Sequence, residues 1–195
     1  MLLDLHCHTL PRSTCSALRP EDLVDLARAR GLDGVCLTEH DAFWPESELE
    51  ALRDRTGFPV FSGVELTTDL GHVLAFGLAG GDARFASARA AHAAAVACGG
   101  LLFLAHPARD GLLKVTHETV EYFESVEAVN GSDTRLQNLA ASGLAHGFRL
   151  PGIGGSDAHA PAEIGKAATR FIADITDNQT LVAALRAGRY EAVPL

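Results

Sequence analysis

An α/β chain whose short parallel strands close into a small barrel is the fold class this sequence predicts, on three observations. Apolar runs of strand length alternate with Ala-, Leu-, Arg- and Glu-rich segments of helical spacing, the rhythm of successive βα units. Most of those runs are continuous rather than alternating, as strands covered on both faces should be. Histidines gather at or just beyond the C-terminal ends of the runs, the end of a barrel where active sites are built.

The first strand is expected at 2–7. A helix follows from about Pro20, where Arg19-Pro20-Glu21-Asp22 supplies a proline at the first helical position and acids in the first turn, and Gly31 ends it. Further strands are expected at 34–38, 60–62, 73–77, 101–105, 125–129, 152–155 and 168–172, with helices at 46–55, 84–98, 134–146, 161–165 and 180–187. Seven or eight parallel strands in so short a chain imply short helices around a small barrel. No linker, repeat or low-complexity tract divides it, and 195 residues, 47% apolar, suffice for one well-buried core but not for two ordinary enzyme domains. One domain over 1–195 is the expectation.

No stretch approaches the roughly 20 apolar residues of a membrane span, and Met1-Leu2-Leu3-Asp4 lacks a charged signal-peptide start, so a cytoplasmic protein without membrane contact is expected. A net charge of -9 argues against a long sequence-independent grip on nucleic acid. It leaves room for a short oligonucleotide or a small phosphate ester, because bound cations reverse the field locally. Cys7, Cys15, Cys36 and Cys98 form no C-x-x-C pair and read as reduced thiols.

Of the 9 histidines, His6, His8, His40, His106 and His159 sit at or just past the ends of apolar runs. His6-Cys7-His8 and Asp157-Ala158-His159 each place ligand-type side chains at i and i+2, on one side of an extended backbone. Asp4, Glu39, Asp41 and Glu65 lie in or beside the same segments. Imidazole suits zinc, iron and manganese, carboxylate suits manganese and magnesium, and a carboxylate such as Glu65 can bridge two ions. A single histidine at a strand end is ordinarily a hydrogen-bonded structural residue; five such placements, two of them in doublets, point instead to a multinuclear metal site. Asp4 reads equally as a ligand or as an acceptor that orients a ligand imidazole. His92, His117 and His146 lie in helical or polar segments and read as structural or surface residues. His72 opens its run where the others close theirs, which places it at the wrong end of a parallel strand.

In these residues the sequence resembles the polymerase and histidinol phosphatase superfamily, or PHP domains. The resemblance rests on Asp4-Leu5-His6-Cys7-His8-Thr9, Thr38-Glu39-His40-Asp41, Gly63-Val64-Glu65, Ala105-His106-Pro107 and Gly155-Ser156-Asp157-Ala158-His159, in that order along the chain. It implies a distorted (β/α)7 TIM-like barrel, two or three divalent ions (manganese, iron or zinc) and phosphoester hydrolysis. It further implies that His6, His8, Glu65 and Asp157 hold a first metal, that Glu65 bridges to a second held by His72 and His106, and that His40 and His159 face a third. Members with a full third site usually carry Asp or His five or six residues after the H-x-H motif, where this chain has Ser13 and Thr14, followed by Cys15. Either Cys15 substitutes, or the third ion is weakly held, or only two are bound. The family's usual T-D-H Asp is Glu39 here, and Asn130 at the end of the sixth strand is a substrate donor or a turn former before Gly131.

The expected chemistry is metal-assisted hydrolysis of a phosphomonoester or phosphodiester. Glu65, His40 and His159 are the candidate catalytic residues, the last two as proton donors to the leaving oxygen where the third metal is absent, and Arg12 or Arg109 is a candidate phosphate clamp. The alternatives are an exonuclease acting on short nucleic-acid ends, a non-catalytic metal-stabilised binding module, and an amidohydrolase on a metal-loaded barrel.

Overall fold

The computed structural model describes residues 1–78, 84–109, 116 and 119–195; His117 lies outside them. The elements are β1 Leu2–Cys7, α1 Pro20–Ala29, β2 Gly34–Leu37, α2 Glu46–Thr56, β3 Val60–Thr68, β4 Gly71–Phe76, α3 Ala88–Cys98, β5 Leu101–Leu104, β6 Ser125–Asn130, α4 Arg135–Ala145, β7 Ile153–Gly155, β8 Ala167–Phe171, α5 Asn178–Ala187 and β9 Tyr190–Pro194. They form one sheet in the order β7-β6-β5-β4-β3-β2-β1-β8-β9.

The sheet curls into a nearly closed, TIM-like barrel because the free edge of β1 is shared. Its start pairs antiparallel with β8, Leu2 opposite Arg170 and Leu3 opposite Thr169. Its end bonds instead to the segment after β7: the Asp157 amide donates to the His6 carbonyl at 2.7 Å, and His8 donates to Ala158 at 3.1 Å. Only glycine fits that seam, since a Cβ on Gly155 would lie 2.4 Å from His6 Cβ, and one on Gly154 2.4 Å from the Ala168 carbonyl. The barrel interior is packed by Leu3, Leu5, Phe61, Phe76 and Phe103, with Leu181 and Leu185 of α5 in the same cluster. Outside, α1 and α2 pack Leu23, Val24, Leu49 and Leu52 on the strands, and α3 packs Ala88, Ala91 and Ala95. Each fully buried Leu or Val of these layers contributes about 1.5–3 kcal/mol.

The structure departs from the sequence expectations in five ways. The sheet is mixed rather than all parallel: β4 runs antiparallel to β3 and β5, and β8 antiparallel to β1 and β9. β3 continues through Glu65 to Thr68, well past the expected 60–62. A ninth strand occupies Tyr190–Pro194, and 161–165 is a series of turns ending at a left-handed Gly165 (φ +67°) rather than a helix, being too short to repay nucleation. Finally, the β1–β2 register shifts between Asp4 and Cys7. Upstream, Leu3 and Leu5 pack in the barrel interior; downstream, Cys7 packs in the outer layer, so a strict two-residue alternation does not run from Asp4 through to His8.

Candidate metal centre

The direction of β4 resolves the position of His72. In an antiparallel strand the first residues lie where parallel neighbours end; His72 pairs with Thr67 near the end of β3, and its carbonyl accepts from Ala105 just past β5. It therefore joins the mouth of the barrel with the histidines that close their strands.

Two groups of donors meet there on Glu65, which is buried in β3. Around the first, His6 Nε2 and His8 Nε2 are 3.0 Å apart. Glu65 Oε2 lies 3.4 Å from His6 and 3.2 Å from His8, and Asp157 Oδ1 lies 3.5 Å and 3.3 Å from the same two nitrogens. Donors about 2.1 Å from a common cation are separated by about 3.0 Å along octahedral and about 3.4 Å along tetrahedral edges, so these spacings suit a metal. Around the second, Glu65 Oε1 lies 2.9 Å from His72 Nδ1 and 3.0 Å from His106 Nε2. The two oxygens thus face different sets of imidazoles. Oε2 is also 2.9 Å from His40 Nδ1, yet it is buried without a partner in hydrogen-bond geometry among the described residues. An orphaned anionic oxygen ringed by imidazoles fits a divalent cation.

A third group is looser. The His8 ring stacks between those of His40 and His159, each at 4.3 Å, and the three present nitrogens close enough to share an ion. The residue that reaches this group from the first loop is Ser13: its buried Oγ lies 3.3 Å from His8 Nδ1 and accepts from the His40 amide at 3.3 Å. Cys15 is exposed and belongs to none of the candidate metal groups among the described residues.

Supporting contacts hold the donors in place. Glu127, wholly buried in β6, accepts from His6 Nδ1 at 2.9 Å through Oε1, and from the His106 amide (2.9 Å) and Asn130 Nδ2 (2.8 Å) through Oε2. Arg109 donates to Asp157 Oδ2 at 2.6 Å, Asp133 at 2.7 Å and Asn130 at 2.9 Å, which leaves Asp157 Oδ1 for His6 and His8. Asp41, His106 and Asp157 have positive φ (50°, 26° and 53°), a conformation costing side-chain-bearing residues about 1–3 kcal/mol. Each has its amide anchored, to the Glu65 carbonyl, the Glu127 carboxylate and the His6 carbonyl respectively. Backbone strain is therefore concentrated at this mouth and held by the residues that shape it.

The charges are mutually dependent. Burial disfavours the ionised ring of His6, but Glu127, Asp157 and Glu65 outweigh it and hold its pKa well above the usual histidine value; His8 and His72 are also raised. Burial likewise opposes the Glu65 and Asp157 charges, and the surrounding imidazoles, with Arg109 at Asp157, hold both carboxyls low. The carboxylates thus demand positive charge, which protons or metal ions can provide. His159 is lowered, first by burial and then by His8.

A family model described as the PHP domain matches residues 4–140, and one described as PHP-associated matches 135–190. The chain belongs to the PHP domain family. Among curated relatives, this PHP domain is 34% identical over 80 residues to a 3',5'-nucleoside bisphosphate phosphatase of Chromobacterium violaceum, covering 39% of this chain and 27% of that protein. It is 33% identical over 66 residues to a 5'-3' exoribonuclease of Haemophilus influenzae, covering 34% and 23%. The matches thus span about a quarter of each relative's length. Solved structures share its fold, two of them as follows. One is a two-domain protein containing a predicted PHP-like metal-dependent phosphoesterase from Bacteroides vulgatus (TM-score 0.75, 22% identity, 99% of this chain and 64% of that one). The other is PsfC from Pseudomonas syringae (TM-score 0.74, 19% identity, 100% and 91%).

In the PHP domain the structure brings together His6, His8, His40, Glu65, His72, His106, Asp157 and His159. Asp4 is not among them: its Oδ1 accepts from the Ser156 and His6 amides, tying the segment after β7 to β1, and it makes no hydrogen bond to an imidazole ring among the described residues. Glu39 closes the first loop by accepting from Thr9 and from Trp44 Nε1. Arg12 stacks on Trp44, 3.9 Å from its ring centroid, and pairs with Glu48, whereas Arg109 and Asn130 join the Asp157 network. His92 shares a hydrogen bond with the Tyr122 carbonyl, and His146 caps α4 on the surface. Ser13 and Glu127 are absent from the expected ligands and supports. A visible signal existed for Glu127: the single charge inside the otherwise uncharged strand β6.

Proposed function

We propose that this PHP domain is a metal-dependent phosphoesterase that works with two firmly held divalent ions, manganese, iron or zinc. The observation that carries the reading is the split of Glu65, Oε1 toward His72 and His106 and Oε2 toward His6, His8 and His40. His6, His8, Asp157 and Glu65 would hold one ion, and Glu65, His72 and His106 the other. Bound divalent cations supply an activated water near neutral pH and positive charge for the phosphoryl oxygens.

The chain's own residues do the rest. Arg109 holds Asp157 to one ligating oxygen, and its Nη1, which bonds to no described residue, is the phosphate contact we assign, with Asn130 fixing the guanidinium from behind. Arg12, engaged by Trp44 and Glu48, serves the first loop instead. His159 donates from Nδ1 to the Asp157 carbonyl at 3.0 Å, which leaves Nε2 to exchange a proton with the leaving oxygen, and His40 stands beside it. A cavity of about 440 Å³ beside the cluster, lined by Thr67, Leu70, His72, His106, Pro107 and Arg109, has room for the organic part of a small ester.

A second substrate class, the phosphodiester at a short nucleic-acid end, is favoured by the match to an exoribonuclease. Labelled oligonucleotides assayed against small phosphate esters, each with manganese, iron and zinc, separate the two. Turnover of neither, by protein that carries metal, would leave a non-catalytic metal-binding module as the better reading.

A further inference from the structure

We infer that Glu127 is a positioning residue that builds the two metal groups as one unit, so that both ions depend on a side chain that ligates neither. The inference rests on the metal reading above and concerns how the ligands are made ready.

Each Glu127 oxygen serves a different group. Oε1, 2.9 Å from His6 Nδ1, accepts that ring's N–H and keeps it there, so an ion that displaces the other proton would meet Nε2, the nitrogen directed toward Glu65, His8 and Asp157. Oε2 accepts from the main-chain amide of His106, 2.9 Å away, at a residue whose φ of 26° needs an external hold. His106 Nε2 faces the other oxygen of Glu65. Asn130 Nδ2 also donates to Oε2, at 2.8 Å, and links Glu127 to Arg109 and Asp157. One wholly buried carboxylate therefore sets a ring tautomer in the first group and a backbone conformation in the second.

A carboxylate has acceptors on both sides; a glutamine has one. In Glu127→Gln the amide –NH2 must face either His6 Nδ1 or the His106 and Asn130 donors, so one side meets a donor instead of an acceptor. The strain is shared through one rigid side chain, and both groups lose order.

The test is calorimetric titration of manganese and of zinc into metal-free wild type and Glu127→Gln, with nitrogen-15 NMR of the histidine rings and hydrogen exchange at the His106 amide. Both ions should bind about 10–100-fold more weakly in the variant, with the His6 Nδ1–H tautomer depleted or the His106 amide exchanging faster. Wild-type affinity for both ions, or a loss confined to one, overturns the inference. Should wild type bind no ion, the metal reading fails by itself, and the His6 Nδ1–H hydrogen bond, read from its nitrogen-15 and proton shifts, and the His106 amide exchange still decide the role of Glu127: unchanged values in the variant reject it. Should Glu127→Gln fail to fold, Glu127→Asp keeps the charge but is one methylene too short to span both partners, and the same two readouts apply.

Discussion

The two sides of the barrel mouth are built differently. On the inner side His6 and His8 are fully buried and His106 has 11% of its side chain exposed. Glu127 and Arg109 hold this side by charged hydrogen bonds to His6, His106 and Asp157. On the outer side His40, His72 and His159 are 31%, 36% and 29% exposed; His40 and His72 share Glu65 with the inner side, and the further partners at hand are a serine hydroxyl and backbone groups. Charged acceptors raise ligand basicity and fix ring orientation, and neutral ones do so weakly. In the proposed two-ion reading His6, His8 and His106 are oriented in advance of the ions, whereas His72, which would complete the second site through Glu65, is as open to solvent as His40 and His159.

Breaking the inner side has the largest expected effect. Glu65→Gln removes the charge both groups share, and a neutral amide bridges cations poorly; turnover should fall by more than about a hundredfold and metal content should drop at both sites, measured by steady-state kinetics and elemental analysis. Full activity in a folded variant would dismiss the bridging role.

Arg109→Ala frees Asp157 Oδ2 and leaves Asp133 without its ion-pair partner. A loss of about 10–100-fold in kcat/KM is expected, the usual size for a residue that orients a ligand. Arg109→Lys keeps the charge but cannot reproduce the fork that reaches Asp133, Asn130 and Asp157 together, so it should recover little. Complete rescue by lysine would mean that charge alone matters at this position.

Much of the centre was legible in the sequence because its signals are local. His6 and His8, like Asp157 and His159, are two apart on extended chain, and Glu65 follows an apolar run. Strand direction is not local, since a continuous apolar run reads the same both ways. The informative sign was the link at Asp69-Leu70: Thr68 pairs with Gly71 across it, and a two-residue connection can join only antiparallel strands. Ending the third strand at 62 hid that link and made His72 look misplaced. Asp4, open in the sequence between ligand and orienting acceptor, could not be placed because the register shift between Asp4 and Cys7 leaves no mark in the residue pattern. The network of Glu127, Asn130 and Arg109 joins three distant segments that no spacing rule connects.

Sharpening the outer side calls for an added charge. Ser13, not Thr14 or Cys15, is the first-loop residue against His8 and His40, so Ser13→Asp supplies the carboxylate missing from the third group. It should lower the metal concentration needed for a third ion about tenfold, roughly 1.4 kcal/mol, as seen by calorimetry or anomalous scattering. Three tightly held ions in wild type would show that the outer side is already complete.

The smallest effects belong far from both sides. His92→Gln and His146→Gln should each change turnover by less than about twofold, under roughly 0.4 kcal/mol of transition-state stabilisation. A tenfold loss in either, with the protein folded, would relocate the site.

The central claim is that this mouth holds two ions and that they enable phosphoester hydrolysis. Its most direct test is a single titration, in which metal-free protein receives manganese or zinc while bound metal and hydrolysis of a phosphate-ester panel are followed together. Turnover should be absent without metal and should rise as the second equivalent binds. Hydrolysis that persists in metal-free protein, or saturates with one ion per chain, would contradict it.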